Sequence, residues 1–337
     1  MTAICCLGEA WGEHEARERL PFVGPSGYEL TRMLEEADIR RADCFLTNVF
    51  NLRPQGNKIE ALCGDKRGSL KGYPPLLKGK YIRAEFEPEL NRLAEELVDV
   101  DPNLIILMGN TAMWALLGRV AISKFRGTTD TSTHTVSGFK VLPTYHPAAI
   151  LRQWELRPTT VADLMKARRE AEYPEIRRPK CQIWIEPTLE DLHEFARRYL
   201  TRVDVLSVDI ETAGNQITCI GFAPRKDLAL VIPFSDKRKK GGSYWPTASD
   251  ERAAWGFVRD ILASPVRKLF QNGMYDIAFL WRAYGIKVYG AEEDTLLLHH
   301  ALQPESLKGL GFLGSIYCNM PAWKTARSKV TTLKRDE

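Results

Sequence analysis

Four stretches in the first half of the chain end in residues that could do chemistry together. Gly8 and Glu9 close the apolar run "ICCLGEA", Phe22 lies in "LPFVGPSG", Asn48 in "LTNVF" and His146 in "PTYHPAAIL". An acid, an aromatic ring, an amide and an imidazole form a set suited to a planar heterocycle. The ring stacks on it, the amide reads its hydrogen-bonding edge, and the imidazole stabilises a developing oxyanion. The carboxylate can hold or polarise a water. Gly8, Gly12, Gly24 and Gly27 allow backbone to approach closely. The second half carries different chemistry. "LSVDIET" puts Asp209 and Glu211 on one face of a strand, because side chains alternate with period two. "FQNGMYDIAFL" adds Asp276 after a polar turn at Asn272. Three converging carboxylates suit divalent metals, Mg or Mn, that assist phosphodiester hydrolysis.

These residues need elements to position them. In the first half, apolar runs alternate with amphipathic stretches. "AICCLGEA", "CFLTNVF", "LIILMG" and "FKVLP" read as strands. "GYELTRMLEEADI" has Leu30, Met33, Leu34 and Ala37 at helical spacing, and "EPELNRLAEELVDV" places Leu90, Leu93, Leu97 and Val98 on one face. The alternation predicts a parallel sheet covered on both faces, with ligands at the carboxyl ends of its strands. A seam follows at "EAEYPEIRRPKCQ". Beyond it come a strand "CQIWIE", a helix capped by Thr188, a three-strand meander over "DVLSVDIET", "ITCIGFAP" and "LALVIPF", and then helix, short strand and helix.

The chain has 337 residues, 44% hydrophobic and 27% charged, with a net charge of +4. That is a globular composition with room for two cores. Seven cysteines at irregular spacing argue against a disulfide framework and read as thiols of an intracellular protein. No stretch is long enough to span a bilayer, and no leader of the secretory type is read at the start. The segment from Gly56 to Arg83 breaks the rhythm with five glycines and two adjacent prolines. Its seven cations, Lys66, Arg67, Lys71, Lys78 and Lys80 among them, face two anions for a net of +5. It reads either as a solvated loop or as a phosphate-contacting loop over the ligand edge of the sheet.

"GEAWGEHEARERLPFVGPSG", "LTNVFNLRP", "LIILMGNTA" and "LPTYHPAAILR" together resemble the family 4 group of the uracil-DNA glycosylase superfamily, over roughly residues 1–169. The resemblance implies base flipping and excision of uracil. It gives Glu9 to the water, Phe22 to stacking on uracil, Asn48 to its polar edge and His146 to the leaving anion. Gly8 and Gly24 would lie against the base and phosphates. Two departures stand out. Trp11 replaces a proline of the first motif, and Leu52 stands where the family has one of four cysteines that hold an iron–sulfur cluster. The chain also begins at the strand that the first cysteine pair would precede. No iron–sulfur cluster is therefore expected, with Cys63 at most a remnant. The basic insert has no histidine, which argues against the covalent-trapping branch of the superfamily.

The second half resembles the DnaQ-like 3′–5′ exonuclease domain of family A, phage-type DNA polymerases, with "DIET" and "NGMYD" as its first two motifs. A third motif, a tyrosine four residues before an aspartate, is not read; Thr332 stands four residues before Asp336. Weak nuclease activity is the expectation.

The combined expectation is an α/β protein in two parts. A three-layer α/β/α glycosylase-like domain with a parallel sheet spans 1–170. A linker spans 171–182, and an incomplete ribonuclease H-like mixed-sheet domain spans 183–337. The expected function is uracil excision from DNA in a phage-type, cytoplasmic setting. DNA and a downstream polymerase polypeptide are the expected partners, and no membrane is involved. Two alternatives stay open: a non-catalytic module that senses uracil or grips DNA, and the N-terminal subunit of a split polymerase.

Overall fold

The computed structural model describes residues 3–318 and 320. It divides into two compact units, one of Met1–Arg178 with Gly311–Glu337, the other of Pro179–Leu310. The expected third-motif positions, Thr332 and Asp336, lie outside the described residues.

The first unit opens with β1 (Ile4–Ala10), α1 (Glu13–Glu18), α2 (Pro25–Glu36) and β2 (Cys44–Phe50). The insert carries two two-residue strands, β3 (Cys63–Gly64) and β4 (Tyr81–Ile82). Then follow α3 (Glu87–Val100), β5 (Leu104–Met108), α4 (Gly109–Leu117), α5 (Ile122–Phe125), β6 (Asp130–Thr131), β7 (Lys140–Thr144), α6 (Pro147–Ile150) and α7 (Arg157–Glu170). The sheet runs β2-β1-β5-β7-β6. Its four longer strands are parallel, and β6 adds an antiparallel edge.

Alternation along β1 explains why helices cover both faces. Cys5 and Leu7 pack with Ile105, Leu107 and the α3 and α4 residues Leu90, Leu93, Leu97 and Trp114. Ile4 and Cys6 pack on the opposite face with Leu30, Met33 and Leu34 of α2 and Val161 and Leu164 of α7. This is the three-layer α/β/α arrangement. One expected core residue is misplaced: Val98 is 59% exposed, while Leu90, Leu93 and Leu97 are buried. Val98 is one residue, about 100° of helical rotation, beyond Leu97, which turns it off the buried stripe.

The second unit contains β8 (Gln182–Trp184), α8 (Leu189–Phe195), β9 (Val205–Ala213), β10 (Gln216–Arg225), β11 (Leu228–Pro233), α9 (Ala248–Ala263), β12 (Arg267–Phe270), α10 (Gly273–Tyr284), β13 (Ala291–Asp294) and α11 (Thr295–Leu302). Thr188 caps α8, its hydroxyl accepting from the Asp191 amide. The sheet order is β13-β12-β9-β10-β11-β8. The β9–β10–β11 meander is antiparallel, whereas β12 runs parallel to β9 and β13 parallel to β12. That topology is the ribonuclease H-like mixed sheet. Leu206, Val208 and Ile210 of β9 face the core with Phe195, Val258 and Leu280, so Asp209 and Glu211 belong to the opposite face.

The helix α12 (Leu310–Tyr317) follows the second sheet in sequence, yet from Gly311 on the chain groups with the first unit. There it closes a buried polar knot. The Arg126 guanidinium, 3% exposed, forks onto Asp163 and donates to Ser315 Oγ at 2.9 Å. Lys166 donates to the carbonyls of Gly127, Ser315 and Cys318. Two buried cations thus lie around one carboxylate, and the last described turn supplies three of their acceptors, the Ser315 hydroxyl and the Ser315 and Cys318 carbonyls. Removing the carboxylate should leave buried charge without its partner. Asp163→Ala is expected to destabilise the first unit by about 3–5 kcal/mol, and Ser315→Ala by about 1 kcal/mol. Urea unfolding of the full chain measures both.

Candidate functional site

At the carboxyl ends of β1, β2, β5 and β7 lies a cavity of about 500 Å³. That volume is within the range of small-molecule sites. Glu9, Phe22, Asn48 and His146 all line it, together with Trp11, Glu15, Pro54, Asn57, Tyr145 and Arg152. Four residues chosen from four separated stretches therefore meet in one crevice. The parallel sheet brings Glu9, Asn48 and His146 there at the ends of strands pointing the same way, and the loop between α1 and α2 adds Phe22.

Phe22 is 4% exposed, packed among the residues beneath α2, and its ring lies nearly parallel to His146 with centroids 6.1 Å apart. Its backbone is left-handed, φ 56°. A residue with a β-carbon adopts that conformation only under constraint. Arg41 supplies one, with Nη2 on the Phe22 carbonyl at 2.8 Å and Nη1 on the Gly27 carbonyl at 3.1 Å and on Thr31 Oγ1. Gly27 supplies another, because a β-carbon there would collide with the Phe22 carbonyl. A β-carbon at Gly8 would strike both the Asn48 amide oxygen and the tip of the Phe22 ring, the latter at 2.6 Å. The bare Gly8 is what lets ring and amide lie side by side.

Glu15 ties the glycine-rich motif into a closed loop. It is 6% exposed and accepts from the Gly12 amide at 3.1 Å and the Gly24 amide at 2.9 Å. Arg92 fixes the end of β2 by donating to the Asn48 and Val49 carbonyls at 2.9 and 3.1 Å. Glu15, Arg41 and Arg92 were not identified from the sequence. Arg41 and Arg92 act on backbone carbonyls, which leave no signature in residue spacing. Glu15 falls two residues from Glu13 in a run of charge that reads as solvated surface.

Electrostatics separate the two chemical groups. Burial pushes the Glu9 carboxyl above its usual range, opposed by the Thr111 hydroxyl, which donates to Glu9 Oε2 at 2.5 Å. Burial, helped by the Arg152 charge, lowers His146 to about 4. His146 Nδ1 accepts from the Ala148 amide at 3.1 Å, as the cap of α6. A nitrogen that accepts carries no proton, so the neutral ring holds its proton on Nε2.

The five cations Lys66, Arg67, Lys71, Lys78 and Lys80 are exposed on the insert. Beneath them the insert is packed. Ile59, Leu62, Leu70, Leu76 and Ile82 are buried in the same core as Leu7 and Val49, and Trp114 Nε1 donates to the Pro74 carbonyl at 2.8 Å. Leu52 packs against this core, and the Cys63 thiol donates to the Ile59 carbonyl. An iron–sulfur cluster does not fit here, because Leu52 offers no ligand and Cys63 is the one thiol between residues 52 and 83. Among the described residues no group of three or more His, Cys, Asp or Glu is arranged to hold a metal ion.

The second unit is no exception. There Asp276, in the first turn of α10, accepts from the Ile210 amide of β9 at 3.1 Å. Asp294 accepts from the Asn272 and Gly273 amides and caps α11 through the Leu296 amide. Burial first, then the Asp209 and Asp294 charges, raise Asp276 to about 6. Asp209, Asp276 and Asp294 are neighbours, but they do not close around one ion, and no metal-dependent step is derived from them.

Fold and cavity together define an α/β protein with a crevice of about 500 Å³ at the carboxyl edge of its parallel sheet. The family model of the uracil DNA glycosylase superfamily matches residues 1–170, and the chain belongs to that superfamily. It is 31% identical over 176 residues to the type-4 uracil-DNA glycosylase of Thermotoga maritima, covering 50% of this chain and 77% of that one. It is 24% identical over 243 residues to a DNA polymerase of Bacillus phage SP01, covering 64% of this chain but 25% of the polymerase. That match is too long to be confined to the first unit. Among solved structures, Brucella melitensis NrnC is 18% identical with a TM-score of 0.28, over 43% of this chain. The chain spans 63% of the NrnC length.

Asp276 ionises against its surroundings, so its folded pKa lies above the unfolded carboxylate value and stability falls as pH rises through about 6. Asp276→Asn keeps an oxygen for the Ile210 amide and removes the charge. The variant is expected to melt a few degrees above the parent at pH 7.5, a gain that fades by pH 4.5. Calorimetry across that range checks it.

Proposed function

We propose that the first unit removes uracil from DNA by extruding the base into the cavity and hydrolysing its N-glycosidic bond. The observation that carries this reading is the state of His146: neutral, with its remaining proton on Nε2, in a cavity it shares with Phe22, Asn48 and Glu9. Phe22 stacks on the extruded base and the Asn48 amide pairs with its polar edge. As the C1′–N1 bond breaks, the bonding pair moves into the uracil ring and charge builds on its O2. The His146 Nε2–H donates there without giving up its proton, because an imidazole with so low a pKa is already neutral. Water adds to C1′, held by the Glu9 carboxylate, which takes its proton. The exposed cations of the insert, Lys66, Arg67, Lys71, Lys78 and Lys80, contact phosphates.

The second unit is proposed to be nuclease-like and to handle a DNA end, with Asp209, Glu211 and Asp276 as candidate groups for Mg or Mn; the long match to a phage polymerase supports this. The same match supports a phage-type cytoplasmic setting and a polymerase polypeptide as partner. In this proposal 1–170 is the glycosylase portion, 171–182 the connection and 183–337 the nuclease-like portion.

Uracil release from single- and double-stranded oligonucleotides tests the reading. His146→Ala and Asn48→Ala are each expected to lower kcat about 100- to 1000-fold. Equal release by the parent and both variants would rule out this site, and uracil-dependent affinity without release would identify a sensing module instead. The acid limb of kcat/KM should reflect Glu9, whose pKa is raised, while His146 stays neutral to about pH 4. The acid-side fall in activity is therefore expected above the pH at which an ordinary carboxylate would produce it, and Glu9→Gln should flatten that limb in a pH–rate profile.

A further inference from the structure

The two positions where the chain departs from its family touch each other. The Trp11 amide donates to the Leu52 carbonyl at 3.1 Å. A proline at position 11 has no hydrogen to give, so this bond exists only because of the first departure. The second departure, Leu52, packs, partly buried, against the core that the insert residues Ile59, Leu62 and Leu76 share with the sheet. One residue along, the Arg53 guanidinium reaches Glu13 at 3.5 Å and Asn57 Oδ1 at 2.7 Å. Trp11, Pro54 and Asn57 all line the cavity. The stretch 52–57 is thus fastened on one side to the glycine-rich motif and on the other to a packed insert.

We propose that the Trp11–Leu52 clasp and the apolar core of the insert hold the cavity rim in place of a metal cluster, making Trp11 a positioning residue. The idea rests on the glycosylase reading only for what the rim encloses; the clasp itself is independent of it. The backbone amide carries the clasp, whereas the indole N–H does not. Trp11 Nε1 is buried and has no hydrogen-bond partner. Keeping the amide while removing that orphan donor should cost nothing in fastening, since an unpaired buried donor is itself unfavourable.

The test compares the full chain with Trp11→Pro and Trp11→Phe. Iron and sulfide are assayed on protein from iron-replete cells, and melting is followed with and without a chelator. The parent is expected to hold substoichiometric iron and to melt identically with chelator. Trp11→Phe should melt at or above the parent. Trp11→Pro should melt roughly 4 °C or more below it and, on uracil-containing oligonucleotides, raise KM about tenfold with a smaller change in kcat, which Trp11→Phe should not do. Stoichiometric iron, a chelator-sensitive transition, or Trp11→Pro melting with the parent would each overturn the proposal. A parent that releases no uracil would defeat the functional reading alone, because iron content and melting still report on the clasp.

Discussion

Phe22 stands in a left-handed backbone conformation, φ 56°, and most of the first site is arranged around keeping it there. The strain of such a residue persists only where neighbours over-determine it. Arg41 grips its carbonyl, Gly27 leaves room for that carbonyl, and Gly8 leaves room for the ring tip. Glu15 closes the loop on either side through the Gly12 and Gly24 amides. The ring is consequently fixed before any ligand arrives, which spares a bound base the entropy of ordering it.

The same burial that fixes the ring sets the chemistry. Burial in the crevice is deep enough to raise Glu9 and lower His146. Both shifts favour the uncharged forms, and burial is the leading cause of each. A neutral imidazole with its proton on a known nitrogen is a fixed dipole, available to a developing anion without reorganisation. The Thr111 hydroxyl works the other way on Glu9, favouring its charged form. The carboxylate is thereby held nearer to a usable base than burial alone would leave it.

In the second unit, carboxylates answer to the backbone. Asp276 accepts from a β9 amide and Asp294 from the amides that open α10 and α11. These bonds join helix starts to strand ends in a sheet whose order is ribonuclease H-like. The last described turn serves a different purpose, supplying acceptors to Arg126 and Lys166 in the first unit. Sequence neighbours thus contribute to different cores, a division that hydrophobic patterning does not reveal.

The sequence by itself determined the longer strands of the first sheet, the helices α2 and α3 and the order of the chemical residues, but not α1, read as a charged loop, nor α7. Strand and helix periods are local, and β1, β2, α3 and β5 fall where alternation and apolar spacing put them. Glu9, Asn48 and His146 were legible for the same reason: each lies at the end of an apolar run, and parallel strands deliver such ends to one edge. Tertiary structure decided what spacing cannot encode. It turned Val98 outward, packed the glycine-rich basic insert into a core, and gave Arg41, Arg92 and Glu15 their backbone partners. Hydrogen bonds to carbonyls and amides depend on where distant backbone comes to lie, and every residue except proline carries the same backbone groups. The proton on His146 belongs with these, because its tautomer follows from the amide of Ala148 and its pKa from burial.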